Sequence, residues 1–223
     1  MQETQLIVTL THNSQSFIDT LDNPDERICE EISFCQTVEI AHRVIDVYGK
    51  NVTKFSWSMR GNYEISAKDV AGVLNKLDNL KSMEFLSWKN FNDFTEVEEL
   101  TLKNLSSVDF MICSKDFVDK FVSKILPKNS LETFIFGYMN DPEEYKDIFV
   151  TQQSIKTLIF KSMCFIAEDA LRDLKLDKIV FGSQNYDALP PQFLKTIFDS
   201  QPNLRHLKLP RNSYNKQQVV DGL

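Results

Sequence analysis

Apolar residues along this chain recur in one short spacing: an apolar position, two variable ones, an apolar, one variable, and a third apolar. It occurs as Val52, Phe55 and Trp57, as Leu80, Met83 and Phe85, and as Val97, Leu100 and Leu102. It continues as Leu131, Phe134 and Phe136, as Ile155, Leu158 and Phe160, as Leu176, Ile179 and Phe181, and as Leu204, Leu207 and Leu209. A weaker copy, Cys29, Ile32 and Phe34, precedes them. Each copy predicts a strand whose alternation sends the pattern residues, Trp57 among them, into the core and their intervening neighbours outward.

The first positions fall at 29, 52, 80, 97, 131, 155, 176 and 204, so seven intervals cover 175 residues and average 25. Self-similarity at such a period marks repeats, each of which is one unit of secondary structure that buries its apolar face only by stacking on its neighbours. The adjacent intervals of 17 and 34 are irregular. They are expected as one repeat with a bare-loop return followed by one with an enlarged return.

The segments between the strands carry helix signals. Ser66-Ala67-Lys68-Asp69 has the form of a capping box, and Val70, Val73, Leu74 and Leu77 follow at helical spacing. Ser114 is placed to cap a helix bearing Phe117, Phe121, Val122 and Ile125, stopped by Pro127. Asp141-Pro142 predicts a cap and first helical position leading into Tyr145, Ile148 and Phe149. Val38, Ala41, Val44 and Ile45, ending at Gly49, form one apolar face; Phe193, Leu194, Ile197 and Phe198, after Pro190-Pro191, form another. The resulting expectation is an α/β solenoid of seven to eight irregular repeats, with a curved parallel sheet on the concave side and helices and loops on the convex side.

Composition narrows the class. The 223 residues include 42% hydrophobic ones and 17 Phe, ample for a large core. A net charge of −7 argues against a general nucleic-acid binder, whose phosphate contacts need a basic face. The local exception, Arg205, His206, Lys208 and Arg211, reads equally well as a solvated strand edge. No stretch approaches the roughly 20 apolar residues of a membrane span, so no membrane partner is expected. Met1 to Thr11 lacks the basic region and long apolar core of a signal peptide, which predicts an intracellular location. Cys29, Cys35, Cys113 and Cys164 form no CxxC pair and are expected as reduced thiols, with no metal and no cofactor.

The pattern resembles the leucine-rich repeats of ribonuclease-inhibitor type over residues 28–212. The stretch VTKFSWSMRGNYEISAKDVAGVLNKLDNLKSMEF is similar in particular to repeats of F-box leucine-rich-repeat proteins of insects. In that family an F-box docks on the adaptor subunit of a cullin ubiquitin ligase and the repeats present a substrate. The resemblance therefore implies a substrate-recognition module. Residues 1–27 are then an N-terminal cap or the remnant of a preceding region, and 213–223 the start of a C-terminal return helix or cap. The first 27 residues are too few for an F-box, so the cullin-ligase adaptor is a partner only if an F-box lies outside this chain. A standalone leucine-rich-repeat binder or inhibitor is the other reading. The family's repeat places Asn or Cys three positions after the last pattern residue. Here those positions hold Trp88, Leu105, Met139 and Met163, with Asn212 the only Asn. The turn is therefore expected to close by apolar packing instead of an asparagine ladder.

No nucleophile elbow, HExxH, Walker loop or dinucleotide fingerprint occurs, and no enzyme activity is expected. Acidic pairs such as Glu30-Glu31, Glu98-Glu99 and Glu143-Glu144 read as solvated charge. The outward position between the second and third pattern residues is more telling. It reads Ser33, Ser56, Glu84, Thr101, Ile135, Ile159, Val180 and Lys208. Three successive β-branched apolar residues, Ile135, Ile159 and Val180, are expected side by side about 5 Å apart, as a strip contacting a protein partner on the concave face. Thr133, Thr157 and Lys178 flank it on one side and Gly137, Lys161 and Gly182 on the other. The glycines are expected to let a ligand approach, and the lysines to favour an acidic rim on it. The plainer alternatives are that β-branched residues suit parallel strands, or that a terminal tail covers them.

Overall fold

The computed structural model of the chain describes residues 6–10, 29–34, 38–59, 66–88, 97, 100–137, 144–161, 165–166, 168–182 and 191–209. Its strands, in chain order, are β1 (Leu6–Leu10), β2 (Cys29–Phe34), β3 (Lys54–Ser58), β4 (Ser82–Leu86), β5 (Ser107–Met111), β6 (Thr133–Phe136), β7 (Glu144–Tyr145), β8 (Thr157–Phe160), β9 (Phe165–Ile166), β10 (Lys178–Phe181) and β11 (His206–Lys208). Nine of them form one open parallel sheet in the order β1-β2-β3-β4-β5-β6-β8-β10-β11. The other two, β7 and β9, pair separately. Each strand of the large sheet thus lies beside its predecessor in that sheet, an arrangement compatible with a solenoid. Parallel neighbours force every connection to cross over one face, and helices occupy several of those crossings. Within the segment expected as an N-terminal cap or the remnant of a preceding region, Leu6–Leu10 form β1 of the sheet; 213–223 lie outside the described residues.

The helices form where the sequence signals stand. They are α1 (Val38–Tyr48), α2 (Ala67–Leu74), α3 (Lys115–Lys120), α4 (Asp147–Thr151), α5 (Glu168–Asp173) and α6 (Pro191–Ser200). The Ser66 hydroxyl accepts from the Asp69 amide at 3.1 Å, and Ser114 accepts from Phe117 at 3.2 Å, so both predicted caps hold. Beyond α3 the chain continues in a wider turn over Phe121–Ile125, closed by the Leu126 amide on the carbonyl of Phe121. Helix α4 differs from expectation. It starts at Asp147, its N-cap Lys146 makes no side-chain cap bond, and Tyr145 belongs to β7. Asp141 and Pro142 lie outside the described residues.

One repeat is shifted relative to the sequence reading. None of the described residues of the strand expected at Val97, Leu100 and Leu102 lies in a strand; the ladder runs instead through β5, whose pattern residues are Leu105, Val108 and Phe110. Val108 pairs with Met83 and Phe134, and Phe110 with Phe85 and Phe136. First positions at 80, 105 and 131 replace the intervals of 17 and 34 by 25 and 26, so neither a bare-loop return nor an enlarged one is needed. Leu100 and Leu102 are buried, but at the end of the return segment. The Leu105 amide donates to the Leu102 carbonyl, as Leu80 does to Leu77, Ile155 to Gln152 and Leu204 to Gln201. Both hexads satisfy the apolar spacing; only backbone pairing to the neighbouring strands distinguishes them.

The core lies between the sheet and the helices. Phe85, Phe110, Phe136, Phe160 and Phe181 occupy one register row and are all buried. Phe136, Phe160 and Phe181 stack nearly parallel, with centroids 5.1 and 4.9 Å apart. Phe117 and Phe121 come down edge-on onto Phe85, at 5.3 and 4.7 Å. Offset and edge-on contacts of this kind add to the large area each ring removes from water.

The turns after β4 and β5 carry side-chain hydrogen bonds, which corrects the expectation of closure by apolar packing there. The Trp88 indole donates to the Trp57 carbonyl at 2.9 Å, and the Cys113 thiol donates to the Phe85 carbonyl at 3.4 Å. Trp88 and Cys113 both stand three positions after a last pattern residue, and both bond the last pattern residue of the preceding repeat. A buried carbonyl left without a donor is costly, and here an indole and a thiol supply the donor. Met139 and Met163 lie outside the described residues.

Candidate functional site

Strand alternation leaves a second face opposite the helices. Its central row, read by register, is Ser33, Ser56, Glu84, Asp109, Ile135, Ile159, Val180 and Lys208. Asp109 takes the place expected for Thr101, which is exposed outside any strand. The row on one side runs Glu31, Lys54, Ser82, Ser107, Thr133, Thr157, Lys178 and His206. On the other side Ser58, Leu86 and Met111 are paired, and Gly137, Lys161 and Gly182 follow directly on β6, β8 and β10.

The three candidate apolar residues come together. Ile135 pairs with Ile159 and Ile159 with Val180, all partly exposed, with Thr133, Thr157 and Lys178 in register beside them. The sequence reading missed Leu86 and Met111, partly exposed apolar residues on the neighbouring row. It missed Asp109 as well. Its signal was present in LSSVDF, a second match to the same spacing eight residues after the one chosen.

Three flanking residues make contacts within the chain. Lys161 forms an ion pair with Asp109 across the intervening strand β6, so its charge is engaged within the chain. Gly137 serves the backbone: its amide donates to the Phe110 carbonyl at 2.6 Å, and a Cβ at this position would overlap that carbonyl and Met111 Cα. Gly182 repeats the arrangement more loosely, its amide 2.7 Å from the Phe160 carbonyl and a Cβ lying 3.1 Å from that oxygen. The room these glycines provide is taken by the adjacent strand.

Electrostatics polarise the face. Asp109 is 8% exposed, and burial pushes its carboxyl above the ordinary aspartate range. The Lys161 ammonium pulls it back down, while the charge of Glu84, its register partner, adds to the rise. Asp109 Oδ1 is buried without a hydrogen-bond partner. Glu84 accepts a hydrogen bond from the Ser56 hydroxyl at 3.1 Å. At the far end Lys178, His206 and Lys208 are exposed on β10 and β11. Acidic, apolar and basic zones therefore follow one another along the sheet.

Among the described residues, no group of three or more His, Cys, Asp or Glu side chains is arranged to hold a metal ion. No helix among them is long and apolar enough to cross a membrane. No family model matches the chain, and no curated protein matches it.

Proposed function

We propose that this chain is a non-catalytic, intracellular protein-binding scaffold of the leucine-rich-repeat kind, and that its open, concave face receives a protein partner. In its most specific form it is the substrate-recognition module of an F-box-type ubiquitin ligase receptor, with the adaptor docked by an F-box outside the chain. The observation that carries the scaffold reading is the strip Ile135–Ile159–Val180, brought into register on three successive strands opposite the helices. An apolar patch with a polar border is the surface expected of an interaction site. Further support comes from the even repeat spacing once β5 is in place. The side-chain donors Trp88 and Cys113 add to it, standing where the family's repeat carries Asn or Cys.

The test is affinity purification of the tagged chain from cells, with Ile159→Asp in parallel. Bound proteins should be lost with the variant while its melting curve stays native; unchanged recovery would sink the reading. Co-purification of a cullin adaptor supports the ligase form. Other Ile159-dependent partners without the adaptor would identify a standalone binder.

A further inference from the structure

Charge changes sign across the apolar strip, and this constrains what can lie on it. On β4 and β5 two carboxylates, Glu84 and Asp109, are direct register partners, and Lys161 is the ammonium paired with Asp109. That leaves the pair one negative charge in excess. Asp109 Oδ1 remains without a donor although the residue is more than nine-tenths buried. Glu84 is partly exposed on the same face, so a charged donor brought by a ligand meets the excess negative charge there, while Asp109 Oδ1 is closed to solvent. The next three strands present Ile135, Ile159 and Val180. On the last two, exposed Lys178 and Lys208 stand beside Val180, with His206 in register with Lys178.

We propose that the occupant of this face is a peptide segment laid across the strands, with a guanidinium or ammonium over Glu84 and Asp109. Its apolar side chains cover Ile135, Ile159 and Val180, and its carboxylate meets Lys178 and Lys208. This rests on the scaffold reading and adds chemistry and direction to it. From Glu84 to Lys208 there are five inter-strand steps of about 4.8 Å, roughly 24 Å, which about seven extended residues span. Charge arranged in this way also selects among partners: a segment acidic at both ends meets like charge at β4 and β5.

Random dodecapeptides displayed on phage, selected against the full chain, test this. Enriched peptides should share a basic residue separated from an acidic one by apolar residues. A synthetic peptide of that sequence should lose at least about tenfold in affinity against Glu84→Lys. It should regain that affinity when its basic residue is replaced by Glu. Lys208→Glu, paired with reversal of the peptide's acidic residue, provides the same cycle if Glu84→Lys fails to fold. Apolar peptides that depend on Ile159 but ignore both charge reversals would overturn the inference and leave the scaffold reading standing. Absence of enrichment, or enrichment indifferent to Ile159→Asp, would overturn both. A dimer of the chain broken by Ile159→Asp would show that a second copy covers the face, and would also overturn the inference.

Discussion

Lys161, one residue beyond β8, places its ammonium on the carboxylate of Asp109 in β5, so a single ion pair spans the intervening strand β6. The two residues are 52 positions apart in sequence and belong to repeats that are not neighbours in the sheet. Ladder bonds join each repeat only to the next, whereas this pair bridges three. Asp109, in register with Glu84 on one side and Ile135 on the other, marks the boundary between the acidic and apolar zones.

The pair gives a pH dependence whose sign is fixed. Unfolded, the Asp109 carboxyl titrates near 3.8; folded, burial raises it. The folded state then holds the proton more tightly, so the contribution to stability is complete below the unfolded value and is lost as pH rises through the folded one. Asp109→Asn should therefore gain in stability relative to the parent as pH is raised from about 4 to 7. Lys161→Met should cost about 1–2 kcal/mol at pH 7, a figure discounted because Lys161 is 34% exposed, and less at pH 4. Urea unfolding at the two pH values reads both. An Asn variant that weakens relative to the parent as pH rises would contradict the account.

Gly137 and Gly182 offer a graded test of strand approach. Gly137→Ala puts a methyl into the Phe110 carbonyl and Met111 Cα, both backbone, so β5 and β6 must separate. A loss of about 2–4 kcal/mol is expected, in the range of other overpacked or strained sites. Gly182→Ala meets the Phe160 carbonyl at 3.1 Å and should cost about 1 kcal/mol or less, since a few tenths of an ångström relieve it. Thermal melts of the two variants should fall in that order.

Cys113 should be chemically silent in the folded protein. Burial pushes its thiol up to about 12, and the thiol is bonded to the carbonyls of Phe85 and Met111. Since the thiolate is the reactive form, iodoacetamide at pH 8 should leave the Cys113 peptide unmodified until denaturant is added. Alkylation under native conditions, seen by peptide mapping, would show that this turn opens.

The strand-and-helix alternation, the caps at Ser66 and Ser114, and the strip Ile135–Ile159–Val180 were legible in the sequence because each is set by local spacing. Alternation decides which face a side chain takes, capping needs three residues, and a fixed period aligns equivalent positions in successive strands. The fourth repeat was not legible. EVEELTL and LSSVDF both satisfy the apolar spacing, so spacing alone does not choose between them. Choosing between them requires the backbone partners of Val108 and Phe110 on either side, which are non-local. With that choice came Asp109, its pairing with Lys161, and the close strand approach at Gly137. The sequence thus determined the alternation of strand and helix and the apolar strip, because these depend on short-range periodicity. Tertiary structure decided the register of β5 and the charge at the strip's edge, because both arise from contacts between residues that only the stacked sheet brings together.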